Sequence, residues 1–535
     1  MNPLPGMEST RALSLDFTDI AIDSGGIEHF VWPLERDANL PEIKAFLRGF
    51  STSLILHASD APEEVRALRI LSKWFMLDIG RLHQAALLLA AADQAGIELR
   101  PSSRTPFAAA LLRRTEPPIS LTAALARGAP LPTAAPHLVR RIVREWQWNG
   151  PLRLLKSLAG LSDAVAVEPQ ALTITHARAT GVTLQYAHMR DWFPPANFDP
   201  ARTPPSSTVF ANRLAEVARD CLRHGQRFLD PLLADYIRRW VGAAWSFVDA
   251  FNPDRRAVRP IPTELWVGPC STTIWMRFLC SVVRERGGQV VAHDHGFGDN
   301  HCDQHPQHLI EFNGCDRFVT YSWPGARAKA AGIDEALLCG LRAPKVEAVG
   351  PEPPALAPRQ STVSTPLRRI LYISTFFTFE QPKFTSYVHA YPYLDFQARL
   401  LGWLRDKGVD VAYKPHPGDS FQPVPAFRSV LGCDVIEGQF EAIADTFDAY
   451  FVDFVGSSLT RPLLARGKPV AYLDLGFSAL TDHAQMLLDQ RCERIRTWED
   501  TNHRQQFDTA ALQNFLQRKH FAFDDAFEQE FYGAA

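Results

Sequence analysis

A chain of 535 residues with 46% hydrophobic and 21% charged residues predicts ordinary packed cores and has room for two large domains. Its formal net charge of −3 excludes a global electrostatic attraction to nucleic acid, so any affinity for phosphate must be local. Its eight cysteines (Cys221, Cys270, Cys280, Cys302, Cys315, Cys339, Cys433 and Cys492) form no Cys-x-x-Cys pair, which fits reduced thiols better than a disulfide framework.

Met1 to Leu13 has no charged start followed by an apolar run, so no signal peptide is expected. The longest uninterrupted apolar run, Ala85 to Ala92, is under half of the roughly 18 residues a membrane helix needs. The expected location is cytoplasmic, at most peripheral at a membrane. Leu54 to His57 reads as a strand. Glu63 to Ala92 has helical periodicity, with Leu68, Leu71, Phe75, Ile79 and Leu82 on one face. Pro117 to Pro136 reads as a loop or boundary near residues 116–136. Leu138 to Trp148 is a basic, aromatic helix candidate with Arg140, Arg141, Arg144, Trp146 and Trp148. It suits a solvated helix face or contact with an anionic membrane surface.

From Glu264 the pattern sharpens. Leu265-Trp-Val-Gly268 predicts a strand, Ser271 to Arg286 a helix capped by Ser271, Thr272 or Thr273, and Gln289 to Ala292 the next strand. That strand runs into His293-Asp-His-Gly-Phe-Gly298. Arg317 to Tyr321 and Val346 to Gly350 are further strands, and Pro351 to Pro366 reads as a linker. A second series follows: strands at 369–374, 409–413, 434–436, 449–452 and 470–473, and helices at 393–407, 440–446 and 457–466. Alternating strands and helices imply parallel, doubly wound sheets. The expected architecture is α/β, with two Rossmann-like domains facing a cleft and a helix-rich N-terminal portion. The expected division is 1–355 on the acceptor side and 367–535 on the donor side.

Lys414-Pro-His-Pro417 and Gly456-Ser-Ser458 both fall where a strand turns into a helix. Ligands of open parallel sheets bind outside the carboxyl ends of the strands. There His416 would donate to a donor phosphate and Lys414 would add a point charge. Ser457 and Ser458 would start a helix whose free N–H groups favour an anion, and Gly456 would admit a ligand to the backbone. Thr375 is a further cleft candidate. Glu437 would accept from a ribose hydroxyl, or is a solvated loop residue. Asp294 or His295 would take the acceptor's proton; packing of both against the sheet is the plain alternative.

These residues carry a resemblance. Lys414-Pro-His-Pro417, Ser457-Ser458 and Leu464-Ala-Arg-Gly-Lys-Pro-Val470 are similar to the capsule β-Kdo transferases, and Asp294-His-Gly-Phe297 loosely resembles their acidic turn. Ile370-Leu-Tyr-Ile-Ser-Thr375 and Val452-Asp-Phe-Val-Gly-Ser-Ser458 resemble the CDP-glycerol polymerases of teichoic acid synthesis. The likeness covers about residues 260–480 and implies a GT-B glycosyltransferase of bacterial surface polysaccharide. It implies a CMP- or other nucleotide-activated sugar as donor and a glycan or lipid-linked glycan as acceptor. Transfer of glycerol phosphate or another polyol phosphate from a CDP donor is the near alternative. A non-catalytic nucleotide- or glycan-binding partner in polysaccharide assembly is the reading from another class.

His293, His295, His301, Cys302, His305 and His308 fall within sixteen residues, a density that suggests zinc, but their spacing matches no standard zinc pattern. No Asp-x-Asp follows a predicted strand in this cleft. No metal or other cofactor is therefore expected, and Lys414, His416 and the helix start would stabilise the leaving nucleotide.

Overall fold

The computed structural model describes residues 11–16, 20–121, 146, 150–152, 154–157, 159, 161–193, 207–252, 259–270, 272–294, 308–309, 311–350, 359–375, 388–416, 424–429, 432–457, 459–478 and 480–532. Near the N-terminus β1 (Arg11–Ser14) is followed by a small hairpin of β2 (Ile22–Asp23) and β3 (Gly26–Ile27). Helices α1 (Leu40–Leu56) and α2 (Pro62–Gln94) come next, then β4 (Ile97–Arg100), which lies parallel to β1. The run expected as a strand at Leu54 to His57 is instead the last turn and C-cap of α1. Phe46, Phe50 and Leu54 repeat every four residues and are all fully buried, so the helical period decides the local structure. In α2 the predicted face of Leu68, Leu71, Phe75, Ile79 and Leu82 is buried. The length and composition of α2 also pass for a membrane span, contrary to the expectation from apolar runs, but 78% of that window is buried inside the protein.

The first large sheet contains β5 (Ala164–Val167), β6 (Leu184–Ala187), β7 (Glu264–Val267), β8 (Gln289–His293), β9 (Arg317–Thr320) and β10 (Lys345–Ala348). Its order is β10-β9-β8-β7-β5-β6, parallel throughout. Between its strands run α3 (Ala171–Thr180), α4 (Ser207–Cys221), α5 (Gln226–Ala250), α6 (Ile274–Glu285) and α7 (Trp323–Ala331). Thr273 caps α6, accepting from Met276 N at 3.1 Å. Helix α5 packs on α2, and Trp240 Nε1 donates to the buried Asp78 carboxylate at 2.9 Å.

The expected linker at 351–366 is partly a strand. Residues 351–358 lie outside the described residues, and β11 (Gln360–Ser364) pairs antiparallel with a strand near the C-terminus, β19 (His520–Asp524). The second large sheet holds β12 (Arg369–Ile373), β13 (Asp410–Lys414), β14 (Asp434–Val435), β15 (Ala449–Val452), β16 (Val470–Asp474), β17 (Glu493–Glu499) and β18 (Gln505–Phe507). Its order is β14-β13-β12-β15-β16-β17-β18, parallel except for β18. Read by appearance, the first six strands follow the 3-2-1-4-5-6 order of doubly wound sheets. All of β15 is buried, as expected for a parallel strand covered on both faces. Helices α8 (Ala390–Asp406), α9 (Thr460–Leu464), α10 (Asp482–Arg491) and α11 (Ala526–Tyr532) belong to this part of the chain.

The two ends of the chain cross over. The β2–β3 hairpin packs on α8, where buried Asp395 accepts from Ile27 N at 2.9 Å and from Arg504 Nη2 at 2.6 Å. Gly26 has φ +101°, and a Cβ there would collide with Asp395 Oδ1, so this turn demands glycine. Arg36 Nη1 then donates to Leu475 O at 3.1 Å. In return α11 reaches the first sheet's helices, with Ser322 Oγ donating to Phe531 O at 2.9 Å.

Candidate functional site

In the second sheet Ile373 pairs with both Lys414 and Val452, so the tips of β13, β12 and β15 end level with one another. Adjacent strands lie about 4.8 Å apart. The segments around Thr375, Lys414–His416 and Asp453–Ser457 therefore leave neighbouring points of one carboxyl edge. Strand β12 is flanked by β13 and β15, which makes the gap between the β12 and β15 loops the sheet's switch point.

A buried carboxylate bridges that gap. Asp453, fully buried, accepts from Tyr393 Oη at 2.6 Å, from Tyr372 Oη, and from Thr375 N at 3.1 Å. Burial pushes its pKa up to about 6, against the lowering effect of these hydrogen bonds. Asp453 was not singled out by sequence; an aspartate directly after an apolar strand was the available signal. Thr375 is itself buried, and among the described residues its Oγ1 has no hydrogen-bond partner.

Lys414 is nearly buried and its Nζ donates to Gly438 O at 2.5 Å. This joins the tip of β13 to the loop after β14, where Glu437 stands exposed. Burial draws the Lys414 pKa down, and Glu441 opposes that shift. His416 is half-buried two residues on.

The helix expected from Ser457 to Arg466 is shorter. Its α-helical part is Thr460–Leu464, five residues with no side-chain cap. Ser457 Oγ instead accepts from Leu459 N at 3.2 Å, a local turn that competes with a cap. So short a helix supplies little dipole, and an anion here would rest on side chains. Ser458 lies outside the described residues. A Cβ on Gly456 would sit 2.7 Å from Phe454 Cζ, and Gly456 N donates to Ser478 Oγ at 3.2 Å.

In the first sheet Asp294 follows β8 and is buried. Its Oδ2 accepts from Thr320 Oγ1 at 2.9 Å and lies 3.6 Å from Nζ of the buried Lys329 of α7. Such a carboxylate is held as a counter-ion to Lys329. His295, the other base candidate, lies outside the described residues, as do Gly296 and Gly298. Tyr321, after β9, has its pKa pushed up to about 12 by burial and by Asp294, while Arg461 of α9 opposes the shift. Arg461 is thus within electrostatic reach of the first sheet's carboxyl edge.

The histidines weighed as zinc ligands are engaged otherwise where they are described. His293 bonds Val267 O at 2.7 Å and the His176 ring at 3.0 Å, and burial lowers the pKa of His293 to about 3. His308 Nε2 accepts from Asp334 N at 2.6 Å. Among the described residues no cluster of histidine, cysteine and carboxylate side chains could hold a metal ion; His295, His301, Cys302 and His305 lie outside them.

One further residue was missed by sequence. Glu168 is the first residue beyond β5 and has φ +46°. A four-residue strand followed by Glu-Pro-Gln gave no signal of that conformation.

No protein-family model and no curated protein sequence matches the chain.

Proposed function

We propose that this protein is a metal-independent glycosyltransferase of GT-B architecture, moving a sugar from a nucleotide-activated donor to a surface-glycan acceptor. The observation that carries this reading is the second sheet's carboxyl edge. Thr375, Lys414, His416 and Ser457 leave three level strand tips there, around the switch point. Donor phosphates would lie against Lys414 and His416, and the Thr375 hydroxyl, which has no partner among the described residues, would find one in the ligand. The reach of Arg461 to Tyr321 supports a second carboxyl edge facing the first. Closure of the two would exclude water and limit donor hydrolysis.

The test is a thermal-shift screen against CMP, CDP, UDP, GDP and ADP. One nucleotide at a hundred times its Kd should stabilise the native state by about 2.7 kcal/mol. His416→Ala should lose most of that shift. No shift with any of the five would sink the nucleotide-donor reading.

A lipid-linked acceptor is supported by a different surface. Leu152 is 79% exposed, and Trp146, Leu155 and Leu161 are exposed beside it in sequence. Between Leu138 and Leu161 stand Arg140, Arg141, Arg144, Arg153 and Lys156 against Glu145 alone. Each basic residue near an anionic bilayer contributes about 1 kcal/mol. The protein should float with phosphatidylglycerol vesicles and not with phosphatidylcholine, and Leu152→Glu/Leu155→Glu should stay in the soluble fraction. Equal flotation of variant and wild type would remove this segment from the proposal.

The inward-held Asp294 is the observation that favours the non-catalytic reading, because one of the two proton acceptors expected in the first sheet, Asp294 or His295, is engaged by Thr320 and Lys329.

A further inference from the structure

Resting on the transferase reading above, we infer that Glu168 is the catalytic base that takes the proton from the acceptor hydroxyl. In the first sheet β5 is flanked by β6 and β7, so the gap between the loops after β5 and β7 is that sheet's switch point. Glu168 leaves β5 at this point. The two loops touch beside it: a Cβ on Gly268, the first residue after β7, would lie 3.0 Å from Gln170 Cγ. Gln170 in turn caps α3, so Glu168 is fixed in a short strand-to-helix turn.

Three unfavourable features coincide at this residue. Its backbone is in the left-handed region that a glutamate rarely adopts. Among the described residues its carboxylate makes no hydrogen bond or ion pair, and the residue is exposed enough to meet a ligand. Partial burial nevertheless raises its pKa above the usual carboxylate range. Strain and uncompensated charge persist together mainly where function needs them. By contrast, the Asp294 carboxylate two strands away, at about 10 Å by strand spacing, is satisfied inside the fold.

In the step assigned to it, the acceptor oxygen bonds to C1 of the donor sugar as the bond from C1 to the donor's phosphate oxygen breaks. The hydroxyl proton passes to the Glu168 carboxylate. The nucleotide leaves with the bonding electrons as a phosphate anion beside Lys414. A base with a raised pKa suits this transfer near neutral pH.

The experiment compares full-length wild type, Glu168→Gln and Glu168→Gly. Nucleotide release is followed with a panel of CMP-, UDP-, GDP- and ADP-sugars, and melting is followed from pH 4 to 8. Glu168→Gln should keep the nucleotide-induced thermal shift and lose turnover at least about 100-fold. Glu168→Gly should melt above wild type, since glycine accepts positive φ and removes the unpaired charge. Because folding raises this group's pKa, its stabilising contribution is present below the unfolded value and lost as pH rises through the folded one. Glu168→Gln should therefore gain on wild type as pH rises from 4. Wild-type turnover retained within twofold by Glu168→Gln would overturn the assignment alone, as would a Glu168→Gly variant that melts below wild type. A wild type that consumes none of the donors would overturn the assignment together with the transferase reading.

Discussion

Replacing Asp453 by alanine is expected to destabilise the second sheet by about 3–5 kcal/mol at pH 5. The substitution removes the acceptor of two buried tyrosine hydroxyls, on Tyr372 and Tyr393, and leaves the Thr375 N–H with Tyr393 Oη alone. Each buried group left without a partner costs roughly 1–3 kcal/mol. The loss should be smaller at pH 8, because the wild type carries its own penalty there. The folded pKa of Asp453 is about 6, above the ordinary aspartate value of 3.8. The folded state therefore binds this proton more tightly than the unfolded one. The resulting stabilisation is complete below pH 4 and gone above pH 6, and amounts to about 3 kcal/mol at 1.36 kcal/mol per pKa unit. Denaturation of wild type and Asp453→Asn at several pH values checks this. Parallel profiles for the two proteins would show that Asp453 does not titrate in this window. Since Asp453 also holds Thr375, the Asn variant should weaken the nucleotide-induced thermal shift.

The second large effect concerns Asp294. Asp294→Ala leaves Lys329 fully buried with its counter-charge removed, and breaking such a pair typically costs about 3–5 kcal/mol. Replacing both partners by apolar residues of similar volume, Asp294→Leu with Lys329→Met, should recover most of that loss. The double variant also separates two roles. If Asp294 only holds the fold, a recovered double variant still turns over donor within a few-fold of wild type. A well-folded double variant with turnover down 100-fold or more would return Asp294 to the catalytic step and displace Glu168.

The parts of this protein that were legible in advance share one physical property. Strands β12, β13, β15 and β16 are buried parallel strands, hence short continuous apolar runs bounded by glycine, proline or charge. Helix α2 announced itself by the period of Leu68, Leu71, Phe75, Ile79 and Leu82. Leu54 to His57 was misread because a short apolar run does not distinguish a buried strand from the last turn of a helix. The Ser457 helix was overextended, because the local turn closed by Ser457 Oγ competes with the helix start.

By itself, then, the sequence determined the α/β character, most strands of the second sheet and the position of Lys414 and His416 at a strand tip. These follow from local periodicity and local turn chemistry. Tertiary structure alone decided which way the charged groups face. Asp294 turns inward because α7 brings Lys329 against it, and Asp395 is satisfied by a hairpin 368 residues earlier in the chain. Asp453 acquires its shifted pKa only when Tyr372, Tyr393 and Thr375 converge on it. The strain at Glu168 exists only once β5 is locked between β6 and β7. Burial and long-range pairing set the energy of a charge, and neither is written in the residues beside it.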